Sequence, residues 1–177
     1  EDGKTLEGDR RYRADGNQAW AGHYWEDGKT LERERRYRED GTLETVRRYW
    51  AEGTLAWERR FREDGKTLEG AGRYREDGTL ERERRYREDG TQTWVGRFRE
   101  DGTLEWEGLC GADGRLSWVG LYREDGKTLE GDRRYREDGK TLEWERLYGA
   151  EGTLAWERRF REDGTLTWVG HYREDGK

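Results

Sequence analysis

The sequence predicts an all-β fold, an antiparallel meander of about fourteen repeated strands with Asp-Gly turns, forming an extended or curled sheet with one aromatic face. Three observations predict it. An Asp-Gly or Glu-Gly pair recurs every 12 or 13 residues, from Gly3, Gly16 and Gly28 through to Gly164 and Gly176, as in a tandem array of units too small to fold singly. Between those pairs the large apolar residues fall on alternate positions, the rhythm of a half-buried strand. Asp-Gly between alternating segments is itself a hairpin signal, because Gly supplies the positive φ that such turns need.

Each unit is numbered here from the residue after the turn glycine, or after the extra Lys where one follows. Thr153 to Gly164 then reads T-L-A-W-E-R-R-F-R-E-D-G. Position 2 is Leu in twelve of fourteen units, with Gln18 and Gln92 in the others; position 8 is Tyr or Phe in thirteen, with Cys110 in the last. Eight of the ten Trp occupy position 4, and Trp25 and Trp50 occupy position 9. Positions 2, 4, 6 and 8 share parity, so a strand points them to one side and leaves Glu and Arg of positions 3, 5 and 7 on the other. The expected packing and self-association face is therefore built from pairs four residues apart: Trp20 with Tyr24, Trp57 with Phe61, Trp94 with Phe98, Trp118 with Tyr122, Trp156 with Phe160, and Trp168 with Tyr172.

The turn fixes the expected register. A three-residue Glu-Asp-Gly loop sets position 8 opposite 2, 4 opposite 6, and 7 opposite 3; a three-residue loop shifted by one, Asp-Gly-Thr, sets 4 opposite 8 and 3 opposite 9, and also keeps the apolar faces together. A two-residue loop pairs even with odd, turns alternate strands over and divides the aromatics between both faces. The three-residue loop is expected because it yields one apolar face. The extra Lys of the longer units, as in Asp64-Gly65-Lys66-Thr67, is expected to be absorbed in the loop. Position 6 is Gly in six units and Arg in eight. Gly there leaves room for an indole to lie over the backbone, and Arg stacks on it instead. A parallel solenoid is the rival, but it would stack Arg on Arg and Glu on Glu.

Charged residues make up 44% of the chain and hydrophobic ones 29%, which would suit disorder. Ten Trp and ten Tyr at fixed spacing argue the other way. The net charge is −6 with both signs interspersed, so nucleic acid is not expected as a partner. No apolar run is long enough for a membrane span. The single Cys110 excludes an internal disulfide. The chain reads as one tandem β-repeat array over residues 1–177 with 12–13-residue units, an excerpt of a longer array. It gives no address, and an extracellular or cell-surface location is preferred.

Little in the sequence points to catalysis. His23 and His171 both stand at position 7 among charged residues, where surface replacement of Arg explains them and no metal is expected. Cys110 replaces an aromatic and reads as a buried, inert thiol. Ser117, the only serine, lies within a strand and not at a nucleophile elbow. The carboxylates recur alike in every unit, whereas a catalytic pair needs one distinct environment to separate two pKa values. Acidic turns are read as Asp bonding its own backbone rather than as calcium sites. No cofactor is expected, and the chain is expected not to be an enzyme. The expected role is a scaffold, shell or self-assembling fibre, self-associating as a homo-oligomer or filament. The alternative is a binding module for a protein or glycan: an adhesin, or an antitoxin-like partner-binding sheet.

Tyr37 to Leu43, Tyr-Arg-Glu-Asp-Gly-Thr-Leu, is similar to the Tyr-x-x-Asn-Gly-x-Leu spacing of MORN-type repeats in YwqK-like bacterial antitoxin proteins. Trp168-Val169-Gly170-His171-Tyr172 resembles the aromatic-x-Gly-x-aromatic core of MORN repeats. The Tyr-Asp repeats of Rhs-type toxin shells share the Tyr-x-x-x-Gly-x-Leu spacing. The Lys-Asn-Gly-Lys-x-x-Gly half of the antitoxin repeats is missing. Both resemblances imply antiparallel hairpin arrays with scaffold, shell or interaction roles, and neither supplies a catalytic residue.

Overall fold

A computed structural model describes residues 7–173, and among them every regular element is a strand. The chain divides into two compact units, residues 1–90 and 91–177. The first holds β1 (Gly8–Tyr12), β2 (Gln18–Tyr24), β3 (Leu31–Tyr37), β4 (Leu43–Tyr49), β5 (Leu55–Phe61), β6 (Leu68–Tyr74) and β7 (Leu80–Tyr86). The second holds β8 (Gln92–Phe98), β9 (Leu104–Cys110), β10 (Leu116–Tyr122), β11 (Leu129–Tyr135), β12 (Leu142–Tyr148), β13 (Leu154–Phe160) and β14 (Leu166–His171). Strands follow one another in chain order as an antiparallel meander. Neither unit closes into a barrel, because β1 does not bond to β7, nor β8 to β14.

The turns follow from the Glu-Asp-Gly sequence. At the β3–β4 turn the Arg38 amide donates to the Thr42 carbonyl at 2.9 Å, and the Gly41 amide donates back to the Arg38 carbonyl at 3.0 Å. That encloses the expected three residues, Glu39, Asp40 and Gly41. Gly41 has φ of 85°, a left-handed value that an L side chain would resist. Asp40 accepts both the Thr42 amide at 2.8 Å and the Thr42 hydroxyl at 2.7 Å. Longer units absorb Lys as expected: Asp64 accepts the amides of Lys66 and Thr67, each at 2.8 Å, and Arg62 still pairs with Thr67. The expected position 8 to position 2 pairing is present, as Tyr37 with Leu43 and Tyr49 with Leu55.

The expected single aromatic face is not. After the 8-to-2 pair the register slips by one residue at every hairpin described. Arg48 then faces Trp57, Arg47 faces Glu58 and Val46 faces Arg59. Position 3 is the extra residue of a β-bulge, so 7 faces 4 and 6 faces 5. Even positions pair with odd ones despite the three-residue loop, and alternate strands turn opposite sides to a given face. The 7-to-3 ion pairs still form, as the bulge leans position 3 towards position 7: Arg73 reaches Glu81 at 2.9 Å and Arg97 reaches Glu105 at 3.1 Å.

A conventional core is missing. Ala56, Val95 and Cys110 are the buried apolar residues among those described. Cohesion comes instead from small clusters on both faces of the ribbon, and from the turns. Arg38 crosses to the next turn on its edge, donating to the carbonyls of Arg62 at 2.8 Å and of Phe61. Arg13 does the same to Arg38 and Tyr37, Arg62 to Tyr86, and Arg136 to Phe160. Position 9 is thus a staple between turns, and Trp25 and Trp50 stand in for Arg there, each with a buried indole nitrogen lacking a hydrogen-bond partner.

Candidate functional site: carboxylates bridged across three strands

Position 5 carries the site. In residues 1–90 it is acidic on β1, β3, β5 and β7 (Asp9, Glu34, Glu58, Glu83) and apolar on the strands between (Ala21, Val46, Ala71). Because alternate strands are turned over, these acids share one face with positions 4, 6 and 8 of the even-numbered strands. The second unit repeats this with Glu107, Asp132 and Glu157 on β9, β11 and β13. We call this side the carboxylate face of each unit.

Glu34 shows the arrangement most fully. It is 3% exposed, yet it sits in the middle of a strand opposite Gly22 and Arg47. The indole of Trp20 on β2 donates to it at 2.7 Å, and the phenol of Tyr49 on β4 donates at 2.8 Å. Arg47 adds an ion pair at 3.2 Å and Arg36 another at 3.3 Å. Burial works to raise the pKa of Glu34, but the two hydrogen bonds and two guanidiniums outweigh it and hold the carboxyl below its ordinary range. Tyr49, desolvated and bound to that carboxylate, is pushed up to about 12. The same three-strand bridge recurs in the second unit. Glu107 accepts Trp94 at 2.6 Å and Tyr122 at 2.5 Å. Asp132, 6% exposed, accepts Trp118 at 2.9 Å and Tyr148 at 3.1 Å.

Position 6 sets how the indole reaches its acid. Where it is Gly, the Trp two residues earlier lies flat on the backbone in four strands: a Cβ added at Gly22, Gly96, Gly120 or Gly170 would strike the ring of Trp20, Trp94, Trp118 or Trp168, whereas at Gly108 it would meet Leu116 first and Trp106 only at 3.7 Å. Where it is Arg, the guanidinium stacks on the indole instead, 4.1 Å from the ring centre for Arg146 over Trp144 and 4.4 Å for Arg158 over Trp156. The expected indole was that of a neighbouring strand; the structure instead seats the Trp of the same strand. The acids then find cations: Arg47 lies between Glu34 and Glu58, and Glu157 binds Arg146 at 2.9 Å and Arg159 at 2.5 Å.

The twelve aromatic residues singled out from sequence divide between faces. Trp20 and Tyr24 on β2, Trp94 and Phe98 on β8, Trp118 and Tyr122 on β10, and Trp168 and Tyr172 at β14 stand on the carboxylate faces of their units. Trp57 and Phe61 on β5, and Trp156 and Phe160 on β13, stand on the opposite faces. Sequence reasoning missed Glu34, Glu107 and Asp132, because strict alternation assigned position 5 to a solvated side. The alternation of acid and apolar residue at position 5 in successive units was the signal that could have found them.

The remaining candidates stay apart from this network. His23 and His171 are exposed at position 7. Cys110 is buried, with the Gln92 amide donating to its Sγ at 3.5 Å. Ser117 donates to the Leu109 carbonyl at 3.2 Å. In the turns, Asp64, Asp125 and Asp138 are lowered to about 2 by Thr hydroxyls and backbone amides. Among the described residues no group of three or more His, Cys, Asp or Glu is arranged to hold a metal ion.

No protein-family model matches the chain, and no curated protein does. Among solved structures it is similar to a chain in a complex of accessory secretory proteins 1, 2 and 3 from Streptococcus pneumoniae, at 11% identity and TM-score 0.38, covering 82% of this chain and 22% of that one. It is similar to a point mutant of TarM from S. aureus, at 8% identity and TM-score 0.33, covering 65% of this chain and 20% of that one. It is also similar to a chain of the Photorhabdus luminescens Tc holotoxin pore, at 12% identity and TM-score 0.22, covering 90% of this chain and 11% of that one. The chain therefore spans a small part of the length of each of these neighbours.

Proposed function

We propose that the chain is a non-enzymatic structural repeat protein, a scaffold, shell or self-assembling fibre. One observation carries this reading. The buried carboxylates, indoles and phenols that would attract a catalytic assignment are bonded to one another, in a bridge that recurs at Glu34, Glu107 and Asp132 and serves cohesion. The resemblance of Tyr37–Leu43 to MORN-type and Rhs-type repeats supports the same reading. Self-association would proceed by packing of exposed apolar side chains, among them Leu109, Leu147 and Val169, 45%, 44% and 43% exposed.

The test is light scattering with negative-stain electron microscopy across a range of protein concentrations. Mass is expected to rise with concentration, and Leu109→Lys or Leu147→Lys is expected to suppress the rise. A particle of constant monomeric mass at every concentration would remove the self-assembly reading.

A further inference from the structure

The register that gathers acids on one face of residues 1–90 gathers arginines on the other. Paired residues across β3 to β7 form a central row there: Arg35, Val46, Arg59, Ala71, Arg84. A flanking row reads Arg33, Arg48, Trp57, Arg73, Arg82. Arg48 and Arg73 reach Glu32 and Glu81. Among the described residues no ion pair engages Arg33, Arg35, Arg59, Arg82 or Arg84. Arg33 lies directly opposite Arg48, and Arg73 opposite Arg82. Like charges so placed are unfavourable; Glu32 and Glu81 offset Arg48 and Arg73, which leaves Arg33 and Arg82 as the members of each pair open to an external anion. Around the second pair the surface is concave, with a volume of about 250 Å³ over Ala71 and Gly72, walled by Trp57, Glu58 and the arginines Arg59, Arg73, Arg82 and Arg84.

We propose that this face binds a linear acidic polysaccharide carrying one carboxylate or sulfate per disaccharide, lying across the strands along Arg35, Arg59 and Arg84. Three features of the surface select that ligand. Guanidinium is the side chain suited to planar, bidentate recognition of such anions. Arginines of the central row stand on alternate strands, hence about 9.6 Å apart, close to the length of a disaccharide and far from the ~3.4 Å phosphate interval along each strand of a duplex. Acidic turns close the ends of β3 to β7, Glu-Asp in all but the β4–β5 turn, where Glu52 stands alone, so a polyanion is held to the middle of the strands and a broad duplex would meet repelling charge. The site does not depend on self-association.

The experiment is calorimetric titration of the full chain at low salt with a hyaluronan decasaccharide, a neutral chitin oligosaccharide and an oligothymidylate of equal charge. Hyaluronan is expected to bind, to weaken as salt rises, and to lose at least about a hundredfold in affinity in the Arg35→Gln/Arg59→Gln/Arg84→Gln variant. Arg82→Gln keeps the test independent of folding. It is expected to weaken binding while raising the ligand-free melting temperature by about 1–3 °C, through relief of the Arg73–Arg82 opposition. An arginine with only a structural role would lower that temperature. No binding of hyaluronan, equal binding by the triple variant, or oligothymidylate bound as tightly as hyaluronan would each overturn the assignment.

Discussion

Gly120→Ala isolates the seat of the indole. A Cβ at Gly120 would lie 3.0 Å from Cζ2 and Cζ3 of Trp118 and nearer still to a third ring carbon. The ring has nowhere to retreat without losing its bond, because its nitrogen donates to the buried Asp132 at 2.9 Å. Overpacking of this kind costs about 1–3 kcal/mol. Depriving a buried carboxylate of a donor costs about 1.5–3 kcal/mol. Removing a glycine from a strand returns only about 0.5–1 kcal/mol. The net expectation is a loss of about 2–5 kcal/mol, measured by urea denaturation followed through tryptophan fluorescence. In a Trp118→Ala background Gly120→Ala should cost far less, since no ring competes for the space, and a double-mutant cycle reads that coupling directly. If Gly120→Ala left stability unchanged or raised it, as ordinary strand propensity suggests, the flat-lying indole would be refuted.

Glu34→Ala leaves Trp20, Tyr49 and Arg47 without their shared acceptor and is expected to destabilise by about 3–5 kcal/mol in the same urea assay, with Glu34→Gln costing less. Glu34, Glu145 and Glu157 are all held below the ordinary carboxylate range, burial being outweighed by their donors and guanidiniums. The unfolded chain therefore takes up protons first, so stability should be full above about pH 4.3 and fall as acid titrates the folded carboxylates; melting curves across that range check it. At the alkaline end Tyr49, pushed up to about 12, contributes stability below about pH 10 that should be lost between there and pH 12. Arg38→Ala removes the staple to Phe61 and Arg62 and is expected to cost about 1–2 kcal/mol, with amide exchange quickening first around residues 38–42 and 61–65.

Much of this architecture is legible in the sequence, because its causes are local. Asp-Gly pairs mark the turns, the 8-to-2 pairing follows from loop length, and Gly or Arg at position 6 tells how Trp is seated. The bulge is different. Position 3 is held by Glu32, Ala56, Thr93 or Ser117, ordinary strand residues, and no glycine signals that the ladder slips there. Its effect reaches far, since one unpaired residue per hairpin decides which side every later residue faces. The trace of it lies between units: Asp9, Ala21, Glu34, Val46, Glu58 and Ala71 alternate at position 5, a repeat of two strands hidden inside a repeat of one. Glu145 on β12 breaks the alternation and lies on the opposite face, clasped by Arg133 at 2.8 Å and Arg158 at 2.7 Å.

The bulge also sets the quantum by which such a ribbon lengthens or shortens. Excising a single strand with its turn would invert everything downstream, bringing aliphatic side chains up beneath the indoles and sending the acids to the reverse side among arginines. Excising two restores the original orientation. Duplication, deletion and engineered extension of this array should therefore be tolerated in hairpins and not in single strands.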